Sequence, residues 1–238
     1  MKKAVTLITF AIVLFTSCNK SNEETPYTCA ACTKTPQALA ANNASSKGIY
    51  KGVFFGSTGT VLFDIQNNSS TVTAALIIDR ASVSFSSSTV PQAGQPYIAT
   101  FAGTINGQPA SINFSVGADG SSPVITAASI PGHPNTGFGL LKETSGNLVE
   151  CFEGTWKEYN NNTNGTNNMV VSRSANTWNV IVGGPPQYYN GTISGNSLNC
   201  NCPSGLSITG TFSGDQVNGE YDSRPGGSYG TFTMRRTL

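Results

Sequence analysis

The chain has 238 residues, of which 11% are charged, and its formal net charge is +1. That length accommodates one large β domain or two small ones, and the near-neutral balance leaves no electrostatic footprint for nucleic acid. The surface must therefore be carried by Ser, Thr, Asn and Gly.

At the N-terminus, Lys2 and Lys3 precede the apolar run Ala4 to Phe15. A bilayer core needs roughly 20 apolar residues, so this run is too short to span one. It reads as a signal peptide over residues 1–17. Phe15-Thr16-Ser17-Cys18 resembles a bacterial lipobox, with Phe15 where Leu is commonest. The resemblance implies cleavage before Cys18 and its conversion to a diacyl or triacyl cysteine, enough for stable membrane anchoring. Asn19 takes the second mature position, where Asp favours inner-membrane retention in many lipoproteins. Lys20-Ser21-Asn22-Glu23-Glu24 is similar to acidic motifs that direct some lipoproteins to the outer face of the outer membrane; the same residues also read as a solvated linker cluster. The expected address is the bacterial cell envelope, as an outer-membrane lipoprotein open to surface exposure.

Residues 18–47 are polar and Ala-rich, carry Pro26 and Pro36, and show no periodicity. They read as a flexible tether that reaches about 95 Å when fully extended, at about 3.3 Å per residue. Cys29-Ala30-Ala31-Cys32 lies in it without the strand-to-helix context of a thioredoxin-like site. With Cys18 assigned to lipid, Cys29, Cys32, Cys151, Cys200 and Cys202 form an odd set in a compartment that permits disulfides, so one stays unpaired or pairs between chains. Cys29, Cys32, Cys200 and Cys202 could supply four thiolates to zinc, but their spacing fits no structural zinc site, and no metal or cofactor is expected.

From Gly48 onward, β-branched and aromatic residues alternate with hydroxyl and amide residues. Ile112, Phe114 and Val116 alternate with Ser111, Asn113 and Ser115, and Phe232 and Met234 with Thr231 and Thr233. Period two with one apolar face is the signature of half-buried antiparallel strands. Asn106-Gly107, Asp119-Gly120 and Asn218-Gly219 are dipeptides favoured in tight hairpin turns. Gly48-Ile49-Tyr50-Lys51 is echoed by Gly154-Thr155-Trp156-Lys157, and Gly103-Thr104-Ile105-Asn106-Gly107 by Gly191-Thr192-Ile193-Ser194-Gly195. The expected fold is all-β: two tandem eight-stranded antiparallel meanders over residues 48–147 and 148–238, each a small barrel or sandwich. One continuous sheet shared by the halves is the alternative.

Gly154-Thr155-Trp156 resembles the first-strand motif of the calycins, the lipocalin and avidin group of barrels. The resemblance implies that Trp156 packs at a closed barrel end against an Arg of the last strand, Arg235 or Arg236, and that the barrel carries a small apolar ligand. The first half departs from it, with Tyr50 for Trp and Lys142 for Arg.

Catalytic groups are sparse. His133 is the only histidine and sits in the turn-like Pro131-Gly132-His133-Pro134. Asp64 and Asp79 lie in strand-like runs without a second feature, and Glu150, Glu153 and Glu158 read as a solvated face. The glycine pairs Gly183-Gly184 and Gly226-Gly227 offer no phosphate cradle. Trp178, Tyr188 and Tyr189 could stack on a glycan, and the adjacency of the two tyrosines requires one to face away from the core. The function expected is that of a non-enzymatic, membrane-anchored binding module whose partner is a glycan, a small apolar ligand or an envelope protein. A structural or assembly component of the outer membrane is the alternative.

Overall fold

The computed structural model describes residues 26–56, 59–183, 185–203, 205–223 and 227–238. The signal segment and the lipidation residue Cys18 lie outside the described residues, as do Gly184 and Gly226. Among the described residues, two eight-stranded antiparallel sheets form two barrel-like bodies. The first comprises β1 (Gly48–Phe55), β2 (Gly59–Ile65), β3 (Val72–Ile78), β4 (Ala81–Ser86), β5 (Tyr97–Ile105), β6 (Gln108–Val116), β7 (Val124–Ser129) and β8 (Gly137–Glu143). The second comprises β9 (Glu150–Glu158), β10 (Asn164–Ser172), β11 (Thr177–Val182), β12 (Gln187–Ser194), β13 (Ser197–Cys200), β14 (Ser207–Ser213), β15 (Gln216–Asp222) and β16 (Tyr229–Arg236).

In each half the last strand returns to pair with the first, β8 on β1 and β16 on β9. β9 also pairs with β10, so the second sheet closes into a barrel without edges. The first ends on β7 and β8, with no ladder joining them, so its cylinder keeps a seam. The echoed pentapeptides fall at different places: Gly103–Gly107 leads from the fifth strand of its half to the sixth, Gly191–Gly195 from the fourth to the fifth. Their similarity is therefore one of hairpin chemistry, not of equivalent position.

The first interior is filled by aromatic rings. Phe63 lies 5.0 Å from Phe101 and 4.6 Å from Phe114, centroid to centroid, with Tyr50, Phe54, Phe85 and Tyr97 packed around them. β1 is buried along its whole length. One face meets this core; the other presents Val53 and Phe55 to Val149, Cys151, Val170 and Ile181, the apolar contact between the halves. Asn168 Nδ2 adds a hydrogen bond across it to the Phe54 carbonyl.

Two turn expectations differ in outcome. Asn106 and Gly107 have φ of 50° and 78° and join β5 to β6, as a tight hairpin requires. Asn218-Gly219 is instead mid-strand in β15, because a Cβ at Gly219 would fall 2.3 Å from Phe232 Cζ. That glycine makes room for a ring. Asp79 is likewise no strand residue: with Arg80 it forms the positive-φ turn between β3 and β4.

The expected tether is, over residues 26–47, a strap packed beneath both barrels. The Cys29 N–H donates to Asp215 Oδ2 (2.8 Å) and the Gln37 N–H to Glu143 Oε1 (2.6 Å). The Leu39 N–H donates to Asn67 Oδ1 (3.0 Å), ahead of a short 3-10 turn, Ala40–Asn42. Polar side chains of both barrels thus satisfy its backbone, so it docks without an apolar stripe. Disulfides join Cys29 to Cys32 and Cys200 to Cys202, which ties up the four thiols that zinc would need. Cys151 is the free cysteine among the described residues, buried at the interface with its thiol donating to the Gly52 carbonyl (3.3 Å). Burial pushes that thiol's pKa far up, which makes it a packing group.

Candidate functional site

Inward positions of the second barrel include glycines that receive aromatic rings. A Cβ at Gly165 would fall 2.8 Å from the indole of Trp156, and one at Gly191 would fall 2.7 Å from that of Trp178. Each ring lies flat over a glycine of the neighbouring strand, a packing that compensates strand glycines. Rings laid against the wall leave the axis unfilled, and a cavity of about 460 Å³ remains, partly open to solvent. Its wall includes Trp156, Met169, Trp178, Val180, Leu198 and Phe232, and towards one end Glu158, Gln187, Tyr189, Tyr221, Ser223 and Ser228. Size and apolar walls with few polar groups are those of small-molecule sites.

The opposite end is closed. Phe152 and Phe212 pack there at 5.8 Å. Arg236, 2% exposed, pairs with Glu150 (2.9 Å) and Asp215 (3.4 Å), and Glu150 also takes Arg173 (2.7 Å). The strap covers this cluster: Lys34 pairs with Asp215 (2.7 Å), and Arg236 donates to the Thr33 carbonyl. Glu150 and Glu158 are therefore buried rather than a solvated face, since both project inward from β9. Glu153, outward and half-buried, has its pKa raised by burial.

Glu158 and the turn after β9 define the open end. Thr163 Oγ1 (2.8 Å) and Asn161 Nδ2 (3.3 Å) donate to its carboxylate, and its own N–H donates to the Thr163 carbonyl (2.8 Å). Hydrogen bonds from Ser228, Thr163 and Asn161 hold the Glu158 carboxyl below the usual range for Glu, so the group is a fixed negative charge at the rim. Deeper in the wall, Asn167 Oδ1 is buried without a hydrogen-bond partner, as is Trp156 Nε1 beside Gly165.

The residues anticipated from the sequence separate. Trp156 and Arg235 do not meet: Trp156 faces the cavity edge-to-face with Tyr221 (6.4 Å), and Arg235 points outward over the Tyr27 ring (5.2 Å). Arg236, which does turn inward, pairs in register with Phe152, four residues along β9 from Trp156. The aromatic–cation contact occurs in the first half, where Lys142 Nζ lies 5.7 Å from the Tyr50 ring and donates to the Asn42 carbonyl (2.8 Å). Trp178 is 1% exposed, its Nε1–H donating to the Thr192 carbonyl (3.2 Å), so it lines the cavity and offers no outer platform. Tyr188 is exposed and Tyr189 lines the cavity, donating to Gln187 Oε1 (2.7 Å), the split that period two demands. His133 ties turns together, with Nε2 3.2 Å from Asp79 and Nδ1 donating to the Gly56 carbonyl (3.0 Å). Asp64 caps the turn after β2 by accepting from the Asn67 N–H (2.9 Å). Glu158 and Asn167 are not singled out as site residues by the sequence, although the inward period of β9 carries Glu158 on the same face as Trp156.

The chain matches no protein-family model, and neither the curated proteins nor the solved structures contain a significant match to it.

Proposed function

We propose that the chain is a lipid-anchored, non-enzymatic binding protein of the bacterial envelope that holds a small, largely apolar ligand inside its second barrel. The observation that supports this is the second barrel's cavity of about 460 Å³, with aromatic walls and one accessible end. The first barrel and the strap pack against the second. The envelope address and the anchor at Cys18 rest on the lipobox resemblance.

Native mass spectrometry on the protein purified from its membrane, before and after denaturation, tests the reading. The expected result is a discrete small-molecule mass released on denaturation. A bare chain that also takes up no apolar small molecule would move the function to the outer faces, where the structural and assembly alternative lies.

A further inference from the structure

Resting on the cavity reading above, we propose that the ligand of the second barrel is an organic cation, an amine carried on an apolar or aromatic body, whose ammonium group is received by Glu158. Among the described residues that line the cavity, Glu158 is the one ionised group, and none is Lys, Arg or His. Its charge is held by neutral donors, the Thr163 hydroxyl at 2.8 Å and the Asn161 amide at 3.3 Å. No cationic nitrogen of the described residues lies within 4.0 Å of it. Glu158, 7% exposed as a residue and held by neutral donors, keeps its negative charge directed at whatever enters, with no cation among the described lining residues to offset it.

The neighbouring groups favour the same charge. Trp156 and Tyr221 meet edge-to-face at 6.4 Å beside the carboxylate, and faces of such rings attract ammonium groups. Burial, with the nearby Glu158 and Tyr159, raises the pKa of Tyr221, so its hydroxyl stays neutral. Further in, the unpartnered Asn167 Oδ1 is an acceptor and calls for a donor. Trp156 Nε1, the unpartnered donor, sits 2.8 Å from the position of a Cβ on Gly165 and is turned towards the wall. An anionic ligand would face like charge at the rim. A purely apolar one would leave Asn167 Oδ1 without a donor and Glu158 without a counter-charge.

The chain has two tryptophans, Trp156 and Trp178, and both line the cavity, so their emission reports its contents. The full chain is reconstituted in phosphatidylcholine vesicles and titrated with phenethylamine, phenethyl alcohol and phenylacetate, which share a body and differ in charge. The amine is expected to bind at least about tenfold tighter than the alcohol and the carboxylate weakest, and Glu158→Gln to reduce the amine-to-alcohol ratio to within about twofold. An alcohol or carboxylate that binds as tightly as the amine, with saturable quenching, overturns the cation inference and leaves the cavity reading standing. A ratio unchanged in Glu158→Gln overturns it as well. If no member of the series changes the emission saturably, the cavity reading fails and this inference with it. Should the Glu158→Gln chain not fold, the ranking on the unaltered chain decides.

Discussion

Asp215 shows how one side chain can hold a segment with no apolar stripe. It lies in the tight turn between β14 and β15 and accepts from the Cys29 N–H and Lys34 while facing Arg236. Burial by itself raises its pKa, but the Lys34 hydrogen bond, the Cys29 N–H and the charges of Lys34 and Arg236 outweigh burial, and the net shift is downward. A carboxyl whose pKa is lower folded than unfolded contributes stability above its unfolded value, and that contribution is lost as pH falls through the folded value. Stability should therefore hold from neutral pH to about pH 5 and decline below about pH 4, near the reference pKa of Asp. Asp215→Asn should cost about 2 kcal/mol at pH 7, the range of hydrogen bonds to a charged group, and flatten the acid decline. Urea unfolding at a series of pH values reads both effects. Acid limbs of the same slope in the two proteins would assign the linkage to other carboxylates.

At the level of strands, the glycines of β10, β12 and β15 make room for the aromatic rings of the second barrel. A Cβ at Gly165 would meet three atoms of the Trp156 indole at 2.8 Å, and these are its nearest neighbours, so Gly165→Ala must displace that ring. Overpacking of this kind costs about 1–3 kcal/mol. With Trp156→Leu in the background the penalty should largely vanish, a coupling of about 1 kcal/mol in a double-mutant cycle. Additive costs would mean that the ring is not seated on Gly165. The strands themselves were legible, because alternation such as Ile112, Phe114 and Val116 reports burial of one face directly. The glycines were not, because Asn218-Gly219 has the same letters whether it turns a chain or makes room for Phe232. Only the neighbouring strand separates the two uses. The cavity was hidden for the same reason: the flanking glycines that lay Trp156 and Trp178 against the wall belong to other strands.

Across the whole molecule, closure and docking depend on pairings far apart in sequence, which local pattern does not carry. Composition gave the strap the look of a linker, since its partners, Asp215, Glu143 and Asn67, are polar and distant. Glu143 draws the parts together most directly. Its carboxylate meets Lys51 of β1 at 2.6 Å, both side chains fully buried, and accepts the Gln37 N–H of the strap (2.6 Å) and the Val149 N–H at the start of the second half (3.1 Å). Replacing a buried pair by apolar residues is often tolerated, whereas removing one partner leaves an uncompensated buried charge and costs about 3–5 kcal/mol. Glu143→Gln should accordingly destabilise the chain by about that amount, and Lys51→Met combined with Glu143→Leu by less. Because the same carboxylate touches the first sheet, the strap and the second half, and Val53, Phe55, Val170 and Ile181 form an apolar contact beside it, the intact protein should unfold in one cooperative transition. Calorimetry of the wild type, the single variant and the double variant checks the ordering and the number of transitions. Two separated transitions in the wild type would make the barrels independent bodies, and a Glu143→Gln loss under about 1 kcal/mol would mean that water reaches the pair.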